Sequence, residues 1–206
     1  MSLGFIHRFE PGTSGGTLLV LHGTGGDEND LISLAQRLAP HDNLLSPRGA
    51  VLENGMPRFF RRLDLGVFDE EDLERRASDL GRFVRAAAIR YGFDPSLVRA
   101  VGYSNGANMA AALLLLDPDL LSGAALLRAV LPLTPSQPPR LTGKSVLIAA
   151  GRRDPYAPVA RVQALATQLQ EAGASVELRW SDRGHELDEL EIDQAAAWLA
   201  RHPQDR

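Results

Sequence analysis

Leu97-Val98-Arg99-Ala100-Val101-Gly102-Tyr103-Ser104-Asn105-Gly106 decides how this chain is read: an apolar, strand-like run feeds a Gly-x-Ser-x-Gly pentapeptide, and a helix-like run leaves it. In that setting the pentapeptide is a nucleophile elbow, a strand-to-helix turn so sharp that the serine backbone is strained and its hydroxyl stands clear of the sheet edge. Gly102 and Gly106 suit it because a Cβ at either position would collide with the neighbouring helix or strand. The plainer reading is a glycine-rich turn with no chemistry. What separates the two is whether the rest of the chain supplies a base, an orienting acid and a place for negative charge.

A serine hydroxyl is a weak nucleophile until a base takes its proton. After such an elbow the partners follow in the order Asp or Glu, then His. Of the five histidines, His7, His22 and His41 precede Ser104, and His202 lies beyond the last helical pattern. His185 remains, in Asp182-Arg183-Gly184-His185-Glu186, after the alternating stretch Ser175-Val176-Glu177-Leu178-Arg179-Trp180 and before a helical segment. That position predicts a loop at the C-terminal end of a strand. The acid is sought at another strand end, and the wholly apolar run Val146-Leu147-Ile148-Ala149-Ala150 opens into Gly151-Arg152-Arg153-Asp154-Pro155. Asp154 is the candidate that accepts from the His185 ring and fixes its tautomer; its rival role is an Asp-Pro turn initiator. Asp117 and Asp119 read as turn residues where a helix ends.

Negative charge on a carbonyl oxygen needs donors. Leu18-Leu19-Val20-Leu21 runs into His22-Gly23-Thr24-Gly25-Gly26-Asp27, similar to the His-Gly-rich oxyanion loop of esterases. The expected donors are the main-chain N–H groups of Thr24 and Asn105, with neither side chain required. His22 is expected to prop the loop, and Asp27 or Asn29 to cap the following helix. The loop has neither the Lys-Ser/Thr ending of a P-loop nor the spacing of a dinucleotide fingerprint.

Together, Leu21 to Asp30, Ser46-Pro47-Arg48-Gly49, Arg58-Phe59-Phe60-Arg61-Arg62, Gly102 to Asn108, Asp154-Pro155 and Gly184-His185 resemble the bacterial phospholipase/carboxylesterase family. These are α/β-hydrolases related to acyl-protein thioesterases, and the resemblance spans nearly the whole chain. It is greatest to the branch with the Phe-Phe-Arg-Arg segment, some of whose members are associated with hydroquinone and aromatic-compound metabolism. The resemblance implies an ester hydrolase that needs no metal and no organic cofactor.

The coarse pattern agrees. Strands are predicted at Thr17 to Leu21, Asn43 to Ser46, Leu97 to Gly102, Gly123 to Leu127, Ser145 to Ala150 and Ser175 to Trp180. Helices are predicted at Leu31 to Ala39, Asp69 to Tyr91, Ala107 to Leu116, Val159 to Ala172 and Glu189 to Arg201. Such alternation implies a mainly parallel sheet with helices on both faces. Phe5 to Phe9 could add an antiparallel edge strand, and a long loop separates Ser46 from Asp69. With 206 residues and 44% hydrophobic content the chain suits one domain, residues 1–206. No lid domain fits: Leu131 to Arg140 holds four prolines, a stiff loop long enough for a lip but not a cap.

No cysteine is present, which excludes disulfides and a cysteine nucleophile of the dienelactone-hydrolase kind. The stretch Met1 to Arg8 has no signal-peptide core and no apolar run approaches a membrane span of roughly 18 residues, so a cytoplasmic enzyme is expected. A net charge of -4 leaves no nucleic-acid footprint. The expected partner is a small-molecule ester, and because family members often pair a homodimer is compatible with the sequence.

Arg58-Phe59-Phe60-Arg61-Arg62 has two readings. Phe59 and Phe60 could wall an acyl or aromatic pocket while Arg61 or Arg62 pairs with a substrate carboxylate or phenolate. Alternatively the rings anchor the loop to the core and the arginines pair with Asp64, Asp69 or Glu70. Tyr156 and Val130 are further candidate pocket residues, and Tyr103 reads as packing. Thioester, acyl-transfer, lactone or carbon–carbon hydrolysis would use the same residues; a receptor that has kept a hydrolase pocket is the non-enzymatic alternative.

Overall fold

In the computed structural model, which describes residues 3–202, the apolar runs become the middle of one seven-stranded sheet; Met1, Ser2 and residues 203–206 lie outside the described residues. The chain order is β1 (His7–Glu10), β2 (Thr17–Leu21), α1 (Ile32–Leu38), β3 (Asn43–Pro47), β4 (Val51–Glu53), β5 (Met56–Arg58), β6 (Arg62–Asp64), β7 (Val67–Phe68), α2 (Glu70–Tyr91), β8 (Val98–Tyr103), α3 (Asn105–Leu116), β9 (Gly123–Leu127), β10 (Ser145–Gly151), α4 (Val159–Glu171), β11 (Ser175–Ser181) and α5 (Glu189–Arg201). Spatially the large sheet runs β1-β3-β2-β8-β9-β10-β11. Only β1 is antiparallel, His7 lying opposite Pro47. All other neighbours are parallel.

The inner strands β2, β9 and β10 are almost wholly apolar because both faces are covered, successive side chains serving opposite faces, whereas the edge strands β1 and β11 carry charged residues. Leu18 and Val20 pack with Ile32 and Leu38 of α1 and Trp198 of α5. Leu19 and Leu21 pack with α2, α3 and α4, through residues such as Phe83, Met109 and Leu165. Nearly every residue of α3 is buried, which explains why its sequence is apolar all round. Among the described residues no helix is long and apolar enough to cross a membrane.

Four local expectations are corrected. Helix α3 starts at Asn105 rather than Ala107, so no linker separates the serine from its helix. The cap of α1 is Leu31 with no side-chain bond; Asp27 instead accepts from the Asn29 N–H in a local turn, and neither caps the helix. The long loop before α2 is folded into two hairpins, β4–β5 and β6–β7. Leu131 to Arg140 contributes no residue to the cavity beside Ser104; its lip comes from the second hairpin, through Leu65, Gly66 and Phe68.

Candidate active site

Ser104 sits between β8 and α3 with φ 53° and ψ −113°, a conformation an L-residue adopts only under strain. Its main chain is pinned on both sides: the N–H donates to the Leu127 carbonyl at 2.9 Å, and its own carbonyl accepts from Asn108 N–H at 3.0 Å. The glycines are required by contact. A Cβ on Gly106 would lie 2.1 Å from the Leu21 carbonyl oxygen, and one on Gly102 would lie 2.5 Å from that of Gly106.

His185 follows β11 and Asp154 follows β10, as the order along the chain anticipates. His185 Nε2 lies 2.9 Å from Ser104 Oγ, and Nδ1 lies 2.7 Å from Asp154 Oδ2. The Asp154 side chain is fully buried, and its second oxygen accepts from Tyr156 N–H at 2.8 Å. One carboxylate therefore makes both contacts weighed for Asp154, the turn bond and the contact with the His185 ring. Tyr103 Oη donates to the His185 carbonyl at 2.9 Å, and burial raises the phenol pKa, which keeps it a donor.

Thr24 follows β2, and Asn105 opens α3 directly after the serine. In the main-chain bonding of the described residues neither N–H donates, and the first N–H groups of a helix have no partner within it. His22 is buried. Its Nε2 accepts from Gly49 N–H at 2.9 Å, so its proton is on Nδ1, which is 2.6 Å from the Gly23 carbonyl. Burial pushes its pKa below the usual imidazole value, opposed by that carbonyl and by Asp30, Asp27 and Glu28.

A cavity of about 390 Å³ opens beside Ser104 and His185. Of the predicted binding residues, Arg62 and Tyr156 line it and Phe59, Phe60, Arg61 and Val130 do not. Phe59 and Phe60 are core residues, 3% and 0% exposed, with Phe60 packed edge-on beneath Phe68. Arg61 faces solvent and pairs with Asp69. Val130 is buried and donates its N–H to Asn108 Oδ1. Sequence reasoning passed over Arg58, Phe68, Asn108 and the tip Leu65-Gly66. It also set aside the side chains that rivet the first hairpin to the site: Thr24 Oγ1 accepts from Arg58 Nη1 at 2.7 Å, and Asn105 Oδ1 from Phe59 N–H at 2.8 Å. A signal for the hairpin existed in Asn54-Gly55, a pair suited to a turn with two positive φ angles, here 51° and 79°.

Fold and site define the class: an α/β-hydrolase without a lid domain, its serine elbow at the C-terminal edge of a mainly parallel sheet. The chain belongs to the phospholipase/carboxylesterase family, whose sequence model matches residues 12–202. It is 47% identical over 192 residues to the putative hydrolase MhqD of Bacillus subtilis (strain 168), covering 93% of this chain and 96% of that protein. Among solved structures, the Bacillus cereus carboxylesterase superposes with a TM-score of 0.94 at 46% identity, covering 97% of this chain and 95% of that one. Protein Atu2452 of Agrobacterium tumefaciens str. C58, of unknown function, does so at 0.88 and 40% identity, covering 96% and 97%. The family and fold implied by the sequence motifs are those found.

Proposed function

We propose that the protein is a serine carboxylic-ester hydrolase acting on small to medium esters through an acyl-enzyme. The observation that carries this reading is the unbroken chain from Asp154 through His185 to Ser104, with bonds of 2.7 and 2.9 Å, ending at an open cavity. His185 takes the Ser104 proton as Oγ attacks the ester carbonyl, and Asp154 holds the ring so that Nε2 faces the serine. The Thr24 and Asn105 N–H groups receive the tetrahedral oxyanion, the latter aided by the positive end of α3. His185 then protonates the departing alcohol, and water activated by the same nitrogen releases the acid. Aromatic walls from Phe68, Tyr103 and Tyr156 favour aryl or short acyl groups over long lipid chains.

Hydrolysis of p-nitrophenyl esters from acetate to palmitate, by the wild type and by Ser104→Ala, tests the reading. Turnover of the short esters is expected, with a loss of about a thousandfold or more in the variant. Wild-type inactivity on every ester, or a variant that keeps its rate, overturns it.

A further inference from the structure

The cavity beside Ser104 is unbalanced in charge. Two guanidinium groups, Arg58 and Arg62, line it, and no carboxylate does. The acid that neutralises them is shared: Glu53 Oε1 takes Arg62 Nη2 at 2.6 Å and Nε at 2.9 Å, while Oε2 lies 3.2 Å from Arg58 Nε. One carboxylate against two guanidiniums leaves a formal positive charge at the site. That charge is held in a poor medium, since the Arg58 side chain is only 4% exposed. Burial works against its charged form, Glu53 supports it and Arg62 opposes it again.

The donors are also incompletely used. Arg58 spends Nη1 on Thr24 and Nε on the Phe60 carbonyl and Glu53, and no described residue accepts from its Nη2. Arg62 gives Nε and Nη2 to Glu53, and no described residue accepts from its Nη1. Asn105, another residue lining the cavity, keeps its Nδ2 buried behind the wall without a partner, and the bond from Phe59 N–H to Oδ1 fixes which end of that amide is which. A surplus cation with uncommitted N–H groups, held by residues that line the cavity, is the chemistry of an anion site.

We propose that the ester cleaved here carries a second, spectator carboxylate, which binds the free edges of Arg58 and Arg62 while the ester carbonyl lies at Ser104. The inference rests on the esterase reading. The carboxylate takes no part in bond making; it sets which esters are held long enough to react. Arg62, at the half-exposed side, is the group to vary, because Arg58 also holds Thr24 in place.

Two matched pairs of substrates test this, one with the carboxylate on the alcohol side and one on the acyl side: 4-acetoxybenzoate against its methyl ester, and phenyl hemiglutarate against phenyl methyl glutarate. For at least one pair, the wild type should favour the anion in kcat/KM by about tenfold to a hundredfold, mostly through KM. That preference should fall at least about tenfold in Arg62→Gln and survive in part in Arg62→Lys. No preference for the anion in either pair, or a preference that Arg62→Gln leaves intact, overturns the proposal. If the wild type cleaves none of the four, the p-nitrophenyl series decides the esterase reading, and the anion site is read separately by calorimetry. Binding of 4-hydroxybenzoate or glutarate that weakens in Arg62→Gln supports it, and absence of binding to the wild type, or binding that Arg62→Gln leaves unchanged, overturns it.

Discussion

The guanidinium of Arg128 forks onto the carboxylate of Glu191 through two bonds of 2.8 Å, inside the protein. The same cation donates to the carbonyls of Gly184 and Glu186, the residues on either side of His185. Glu191 in turn completes the capping box of α5 with Asp188. One ion pair therefore ties the loop that presents the histidine to the start of the last helix. Breaking one partner of so buried a pair leaves a stranded charge. Glu191→Ala should lower stability by about 3–5 kcal/mol, read from urea unfolding. In the Arg128→Met, Glu191→Leu double variant the loss should be smaller than the sum of the single ones, because the double change strands no charge. Additive losses would show that the pair is not coupled.

Strain at Ser104 is separable from its chemistry. Ser104→Gly removes both the hydroxyl and the Cβ that resists φ 53°. Relief of strain, about 1–3 kcal/mol, exceeds the extra freedom the glycine gives the unfolded chain, about 1 kcal/mol or less. The variant should melt slightly above the wild type and, on the proposed reading, hydrolyse no p-nitrophenyl ester. Thermal melts that place it clearly below the wild type would remove strain from the account.

Gly106→Ala asks for the opposite. Its Cβ would have to displace the backbone at Leu21, because the carbonyl oxygen there is 2.1 Å away. The expected cost is more than about 3 kcal/mol, at the upper end of what overpacking does. Soluble yield and melting temperature should both fall, whereas an alanine at Gly143, with nothing within 4 Å but φ 85°, should cost only the milder left-handed penalty of about 1–2 kcal/mol.

His22 gives the fold an acid-sensitive point. The folded protein keeps this ring neutral to a lower pH than the unfolded chain does, because burial depresses its pKa. As pH falls below about 6.5 the unfolded chain takes up the proton first. Stability is full above that pH and declines as pH drops toward the depressed folded value, by up to about 1.4 kcal/mol per pH unit. His22→Gln can accept from Gly49 and donate to Gly23 without titrating, so its stability between pH 6.5 and 5 should be flatter than that of the wild type. Parallel curves would assign the acid sensitivity elsewhere.

The sheet was legible because burial on both faces writes strands such as Leu18-Leu19-Val20-Leu21 and Val146-Leu147-Ile148 as runs of one chemistry. Ser104, Asp154 and His185 were legible because each sits where such a run stops, and strand ends in a parallel sheet converge on one edge. The cavity wall was not. Its strands are two or three residues long, too short for periodicity to register, and Phe59 and Phe60 turn inward because the chain between the hairpins passes over the core. Arg58 stood in the quoted segment without a role of its own. Its importance comes from Thr24, far away in sequence, which no local pattern could supply.

The segment from Val51 to Phe68 forms no strand of the main sheet, and it meets the reaction edge through bonds such as those from Arg58 to Thr24 and Phe59 to Asn105. On the proposed reading, the groups that break the bond and a large share of the wall that chooses the molecule, Arg58, Arg62, Leu65, Gly66 and Phe68, are thus carried by different pieces of chain. The hairpin pair is an exchangeable cassette: apart from Arg58, whose bond to Thr24 reaches the frame, its side chains can be redrawn one at a time to change the list of accepted molecules while the serine, histidine and aspartate stay in register.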